Sequence, residues 1–111
     1  METIRTKYGD IQSRNYQKYF ELLVGKTYKI LPMYEENSPT LRNYLESYDR
    51  ELIGNTDLLD ILKNEPQFIT LLSTIQYLID ETYSINVCKK EVFKCIHILK
   101  SINNKYFVKE E

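Results

Sequence analysis

The chain contains no alanine and no tryptophan, and among 111 residues it has only three glycines, three prolines, two cysteines and one histidine. Each shortage excludes something. Gly9, Gly25 and Gly54 are isolated, so there is no glycine-rich loop to cradle a phosphate or to form an oxyanion hole. Zinc sites are built from four Cys or His ligands in recognisable pairs, and His97 near Cys95 supplies no such set. On a helix those two side chains point to different faces, so they do not form a thiolate–imidazole pair either. The carboxylate pairs Glu35–Glu36 and Asp80–Glu81 fall at helix ends, where adjacent side chains diverge. No catalytic, cofactor-binding or metal-ligating residue is identified, and the chain reads as a non-enzyme without cofactors.

Long apolar runs are also missing. No stretch approaches the roughly 20 apolar residues that span a bilayer, and the N-terminal METIRTKYGDIQSRNY lacks the apolar core of a signal peptide. Cys88 and Cys95 are seven residues apart on one predicted helix face, about 10 Å in rise, too far for a disulfide. They read as small core hydrophobes in a reduced chain. No membrane and a cytoplasmic location are expected. Strand signals are absent too, since no run of five alternates cleanly and no Asn-Gly or Asp-Gly turn occurs.

What is abundant is isoleucine, lysine, asparagine and tyrosine, with ten tyrosines in all. Residues with AT-rich codons are favoured, which points to a low-GC bacterium, its phage or a mobile element. The same bias supplies a share of the tyrosines without any functional cause. Hydrophobic (42%) and charged (28%) fractions are those of an ordinary globular chain.

The most informative stretch is Asn86–Phe107. Cys88, Val92, Cys95, Leu99, Ile102 and Tyr106 recur at steps of three or four and mark one helix face. Lys90, Lys94, His97, Ser101 and Lys105 fall opposite, with Lys89 and Lys100 beside them. The same periodicity predicts an all-α bundle of four main helices, at about 14–35, 39–53, 66–81 and 87–107, with a short helix near 57–62. The first should kink near Pro32, which lacks an amide donor. Ser38–Pro39 reads as the start of the second helix, and Gly54–Asn55 as its left-handed end. Asn64 and Pro66 open the third. Ile53 and Ile69 are counted among the inward residues. Residues 1–111 form one domain, with loose ends at about 1–12 and 108–111.

Net charge is only −1, yet it is segregated. Residues 1–34 carry six basic and three acidic side chains, residues 35–81 three and ten, and residues 82–111 six and three. If the first and last helices lie together, one flank is basic and the other acidic. Lys90, Lys94, His97, Lys105, Lys89 and Lys100 form a candidate surface for a nucleic acid or an acidic partner. Tyr16, Tyr28, Tyr44 and Tyr48 form a candidate protein interface, because tyrosine gives large contact area at low entropic cost. The expected function is a small non-enzymatic protein-binding or regulatory module, encoded by a phage or mobile element and acting on a host or defence-system protein. The expected partner is another protein, with self-association as a variant. The second reading is a nucleic-acid-associated subunit that uses the lysine stripe of the last helix.

Overall fold

The computed structural model describes residues 3–6 and 9–107, with side chains from Arg14 to Phe107. The elements in order are strands β1 (Thr3–Thr6) and β2 (Gly9–Gln12), then helices α1 (Ser13–Tyr28), α2 (Ile30–Glu35), α3 (Leu41–Leu58), α4 (Asp60–Lys63), α5 (Pro66–Asp80) and α6 (Ile85–Tyr106). The fold is an all-α bundle in which α1, α3, α5 and α6 are the long members.

Cross-links between helices set the topology. Tyr16 stacks on Phe107 and Tyr28 meets Phe93, so α1 and α6 run antiparallel. Glu65, just before α5, meets Lys105 near the end of α6. Tyr44 reaches the Lys26 carbonyl and Asn55 reaches the Tyr19 hydroxyl, so α3 descends beside α1. With α3 packed on α5, the four close an up-down-up-down ring in the order α1, α6, α5, α3. Short connections between consecutive helices favour this arrangement.

The proline breaks the first helix one turn upstream of itself. Pro32 has no N–H to give the Tyr28 carbonyl, so the regular bonding lapses at Lys29, which keeps helical dihedrals (φ −62°, ψ −21°), before α2 resumes. At the other end of α2, Asn37 adopts a left-handed φ of 53°. Ser38 N donates to Met33 O at 2.9 Å and Asn37 N to Tyr34 O at 3.1 Å, which is the Schellman pattern. Ser38 does not cap α3 directly. Its hydroxyl accepts from Thr40 N at 3.3 Å, in a turn that precedes the first regular residue, Leu41.

The structure departs from the sequence expectations in three places. The N-terminal segment, in which the sequence signals no strand, contains an antiparallel hairpin, with Thr3 opposite Gln12 and Ile4 opposite Ile11. Strands of four residues are too short to show a period, although Thr and Ile suit them. The loose end expected at 108–111 lies outside the described residues. The second helix does not stop at Gly54–Asn55 but continues to Leu58. Asn55 is buried, and its Nδ2 donates to Tyr19 Oη at 3.0 Å and to Glu51 O at 3.1 Å. A hydrogen-bonded asparagine inside the bundle holds the helix through what would otherwise be its cap. Ile53 and Ile69, expected inward, are exposed. Their neighbours Leu52 and Phe68 take the core positions, and the next residue along, turned about 100° round the helix, reaches solvent.

Gly54 lies within α3, and a Cβ placed there would meet nothing within 4 Å. Gly54→Ala is therefore expected to stabilise the protein by about 0.5–1 kcal/mol. Urea unfolding checks this: a midpoint equal to or below that of the parent would contradict it.

Helix α6 is the centre of the bundle, packing against α1, α2 and α5. Cys88, Val92, Cys95, Leu99 and Ile102 are fully buried, as its periodicity predicts. Tyr106 is only half-buried, while Ile96, Ile98 and Asn103 are buried as well. The face is wider than a single seam because three helices cover it.

Candidate interaction surface

Of the nine tyrosines whose side chains are described, two are buried, five half-buried and two exposed. Tyr16 and Tyr48 are 6% and 3% exposed. Tyr48 Oη is 2.7 Å from Thr27 Oγ1 and donates to Leu23 O at 3.2 Å. Tyr44 is half-buried, with its hydroxyl on Lys26 O at 2.6 Å. Only Tyr28 of the four, at 43% exposure, faces solvent freely. The nominated tyrosines therefore do not form one exposed patch. Tyr44 and Tyr48 join α3 to α1, because a buried phenol needs an acceptor for its hydroxyl and the α1 backbone supplies one, and Tyr16 joins α1 to the end of α6 by stacking on Phe107.

The α1–α3 seam is completed by an ionic network. Glu51 accepts from Tyr19 at 2.5 Å and from Lys26 at 2.7 Å. Burial pushes the Glu51 carboxyl up, but the hydrogen bonds from Lys26 and Tyr19 outweigh it and hold the group below its usual range. Burial and the Glu51 hydrogen bond raise the Tyr19 phenol well above its ordinary value.

The second network joins α5 to α6. Glu65 caps α5, its carboxylate accepting from Gln67 N at 2.9 Å. The same carboxylate accepts from Lys105 Nζ at 2.8 Å and Tyr106 Oη at 2.6 Å. Periodicity alone has no means of finding this contact, since Glu65 lies some forty residues from its partners.

The lysine stripe is divided by these contacts. Lys89, Lys90, Lys94, His97, Lys100 and Lys105 are all exposed. Lys94 pairs with Glu91 at 3.3 Å and Lys105 with Glu65. Among the described residues, Lys89, Lys90 and Lys100 make no ion pair. Phe93 lies one turn from Lys89, Lys90 and His97 and is 49% exposed. Its ring sits edge-to-face with Tyr28, centroids 6.0 Å apart at 79°. Sequence reasoning passes over Phe93. Its one local signal is a large aromatic at a position the apolar period does not use.

The pairing of α1 with α6 brings together the two basic ends of the chain. These two helices hold eight basic side chains and two acidic ones, a balance of +6. Helices α3, α4 and α5 hold three basic and six acidic, a balance of −3. The near-zero total thus conceals a cationic flank and an anionic one on opposite sides of the ring. Where α3 meets α5, the Asp49 carboxyl is raised by burial and by nearby Asp80, with Arg50 opposing the shift.

No family model, no curated protein and no solved structure matches this chain. Function is therefore read from the surface itself.

Other chemistry is sparse among the described residues. No three His, Cys, Asp or Glu side chains gather where they could hold a metal ion, and no helix is long and apolar enough to cross a membrane. Cys88 and Cys95 are free and buried. Burial raises the Cys88 thiol, with Glu35 adding to the effect, and pushes Cys95 up to about 12. Both are protonated at neutral pH and weakly nucleophilic.

Proposed function

We propose that this protein is a non-enzymatic regulatory module that works by holding a negatively charged macromolecule against the α1–α6 face. The observation that carries the reading is the exposed Tyr28–Phe93 pair, set in the flank where positive charge accumulates. Exposed aromatic side chains bounded by charge are the usual anchors of a binding surface. The rim supplies electrostatic complementarity and speeds encounter. The tyrosine-built interface expected from sequence loses its basis once Tyr16 and Tyr48 are in the core. The biological setting proposed from composition is a phage or mobile element whose product acts on a host or defence-system component. That target must present anionic groups to this face.

Retention on immobilised heparin, a generic polyanion, tests the reading. Elution should move to higher salt as the column becomes more anionic. Replacing Lys89 and Lys90 by glutamate should abolish retention while the helical circular dichroism stays intact. Absence of retention at low salt, or retention unchanged in the double variant, would refute the proposal.

A further inference from the structure

The partner class can be narrowed from the same face, on the premise that the α1–α6 face is the binding surface. We infer that this face binds single-stranded nucleic acid, with Tyr28 and Phe93 as the base-stacking platform and Lys89, Lys90 and Lys100 as phosphate contacts.

The chemistry of the cations favours phosphate. Of the eight basic side chains on α1 and α6, seven are lysines. Lysine is depleted from the cores of protein interfaces, where arginine is favoured, but it serves well as a point charge against phosphate. Glu91 is already paired with Lys94, which leaves Glu21 as the one acidic side chain of these helices without an ion pair among the described residues. A polyanion approaching the face meets little repulsion.

The aromatic geometry favours an unpaired strand. An edge-to-face pair uses one of its four ring faces, and Tyr28 and Phe93 each stay about half exposed. A ring face open on a cationic flank is what an unstacked base requires. A duplex keeps its bases stacked, so it can use the lysines but not the rings. This separates single strands from double strands on physical grounds.

Rigidity adds to both. Phe93 rises from the helix that three others hold, between the buried residues Val92 and Cys95. The platform is preorganised, so little side-chain or backbone entropy is lost on binding. Lys89 and Lys100 are eleven residues apart, about 16 Å along the helix axis, a span that accommodates several nucleotides.

Fluorescence anisotropy with labelled oligothymidylate and oligouridylate tests the inference, and the two probes separate DNA from RNA. A labelled duplex and polyglutamate serve as competitors. Three phosphate contacts predict a slope of log K against log salt of about −2. Lys89→Ala with Lys90→Ala should reduce the slope to about −0.7. Phe93→Ala should weaken binding about tenfold or more and leave the slope unchanged. The duplex should bind more weakly than either oligomer and should not respond to Phe93→Ala. Retention on heparin with no affinity for either oligonucleotide would overturn this inference alone, leaving the binding-module reading in place. So would displacement by polyglutamate at concentrations where unlabelled oligonucleotide fails to compete, which would assign the face to an acidic protein. The substituted lysines are exposed, so their variants should keep both circular dichroism and urea midpoint, and Phe93→Ala, which gives up the contact with Tyr28, should keep its circular dichroism.

Discussion

Phe20→Ala is expected to lower the stability of the protein by about 3–5 kcal/mol. Phe20 is fully buried on α1, with its ring centroid 5.0 Å from that of Phe107 and 6.1 Å from that of Tyr19. Tyr16 stacks on the other side of the cluster, 5.4 Å from Phe107. Four aromatic rings thus close one end of the α1–α6 contact. Removing the Phe20 ring forfeits its transfer free energy and leaves a cavity that rigid aromatic neighbours cannot collapse to fill. Small domains have only about 5–15 kcal/mol of net stability, so this one change consumes a large share of it. Urea unfolding should show a lower midpoint with an unchanged slope. A loss under about 1 kcal/mol would mean that the cluster does not anchor the two helices.

Glu65→Gln is expected to cost about 1–3 kcal/mol at neutral pH, and the cost should vanish in acid. The carboxylate is only 3% exposed, yet it lies beneath Lys105, whose own side chain is 58% exposed. Hydrogen bonds from Lys105, then Tyr106, then the Gln67 amide hold its pKa at about 2, below the usual 4.5. A carboxyl whose pKa is depressed in the folded state contributes stability above its unfolded pKa. For Glu65 that contribution is complete above about pH 4.5 and is lost as pH falls toward 2. Glutamine still offers an oxygen to Gln67 N but removes the charge that Lys105 meets. Urea midpoints of parent and variant should therefore differ most at pH 7, draw together as pH falls below about 4.5, and converge only at about pH 2. Other carboxylates titrate in both proteins, so the difference isolates Glu65. A gap that does not change with pH would show that the residue acts by shape alone.

Glu65 also illustrates where sequence reading stops. The proline at position 66 announces a helix start, but local sequence pairs it with Asn64 rather than with Glu65. A glutamate is an unremarkable cap until a lysine and a tyrosine arrive from another helix to bind it. Asn55 makes the same point in reverse. Beside Gly54 it reads as a helix end, a local signal. The end disappears because Tyr19 on α1 accepts its amide, an interaction no local window contains. Among the candidate surfaces, periodicity puts the lysines on the exposed face, where they are. Which of them are already paired depends on Glu91 and Glu65, and only the first of these lies within a turn of its partner. The tyrosines are the least legible, because a phenol suits an interface and a hydrogen-bonded core about equally well.

The stretch Asn86–Phe107 shows what the amino-acid order settles by itself. A 3.6-residue period of Cys88, Val92, Cys95, Leu99 and Ile102 leaves a helix one way to bury its apolar side chains. Punctuation by Pro32, Asn37 and Pro66 divides the rest into helices for equally local reasons. Only the tertiary structure decided that α6 sits among three helices and that it adjoins α1. That pairing joins two basic segments far apart in the chain into one flank of +6 and sets Phe93 against Tyr28 at its surface. Periodicity acts within a few turns, whereas charge and aromatic contact act through space.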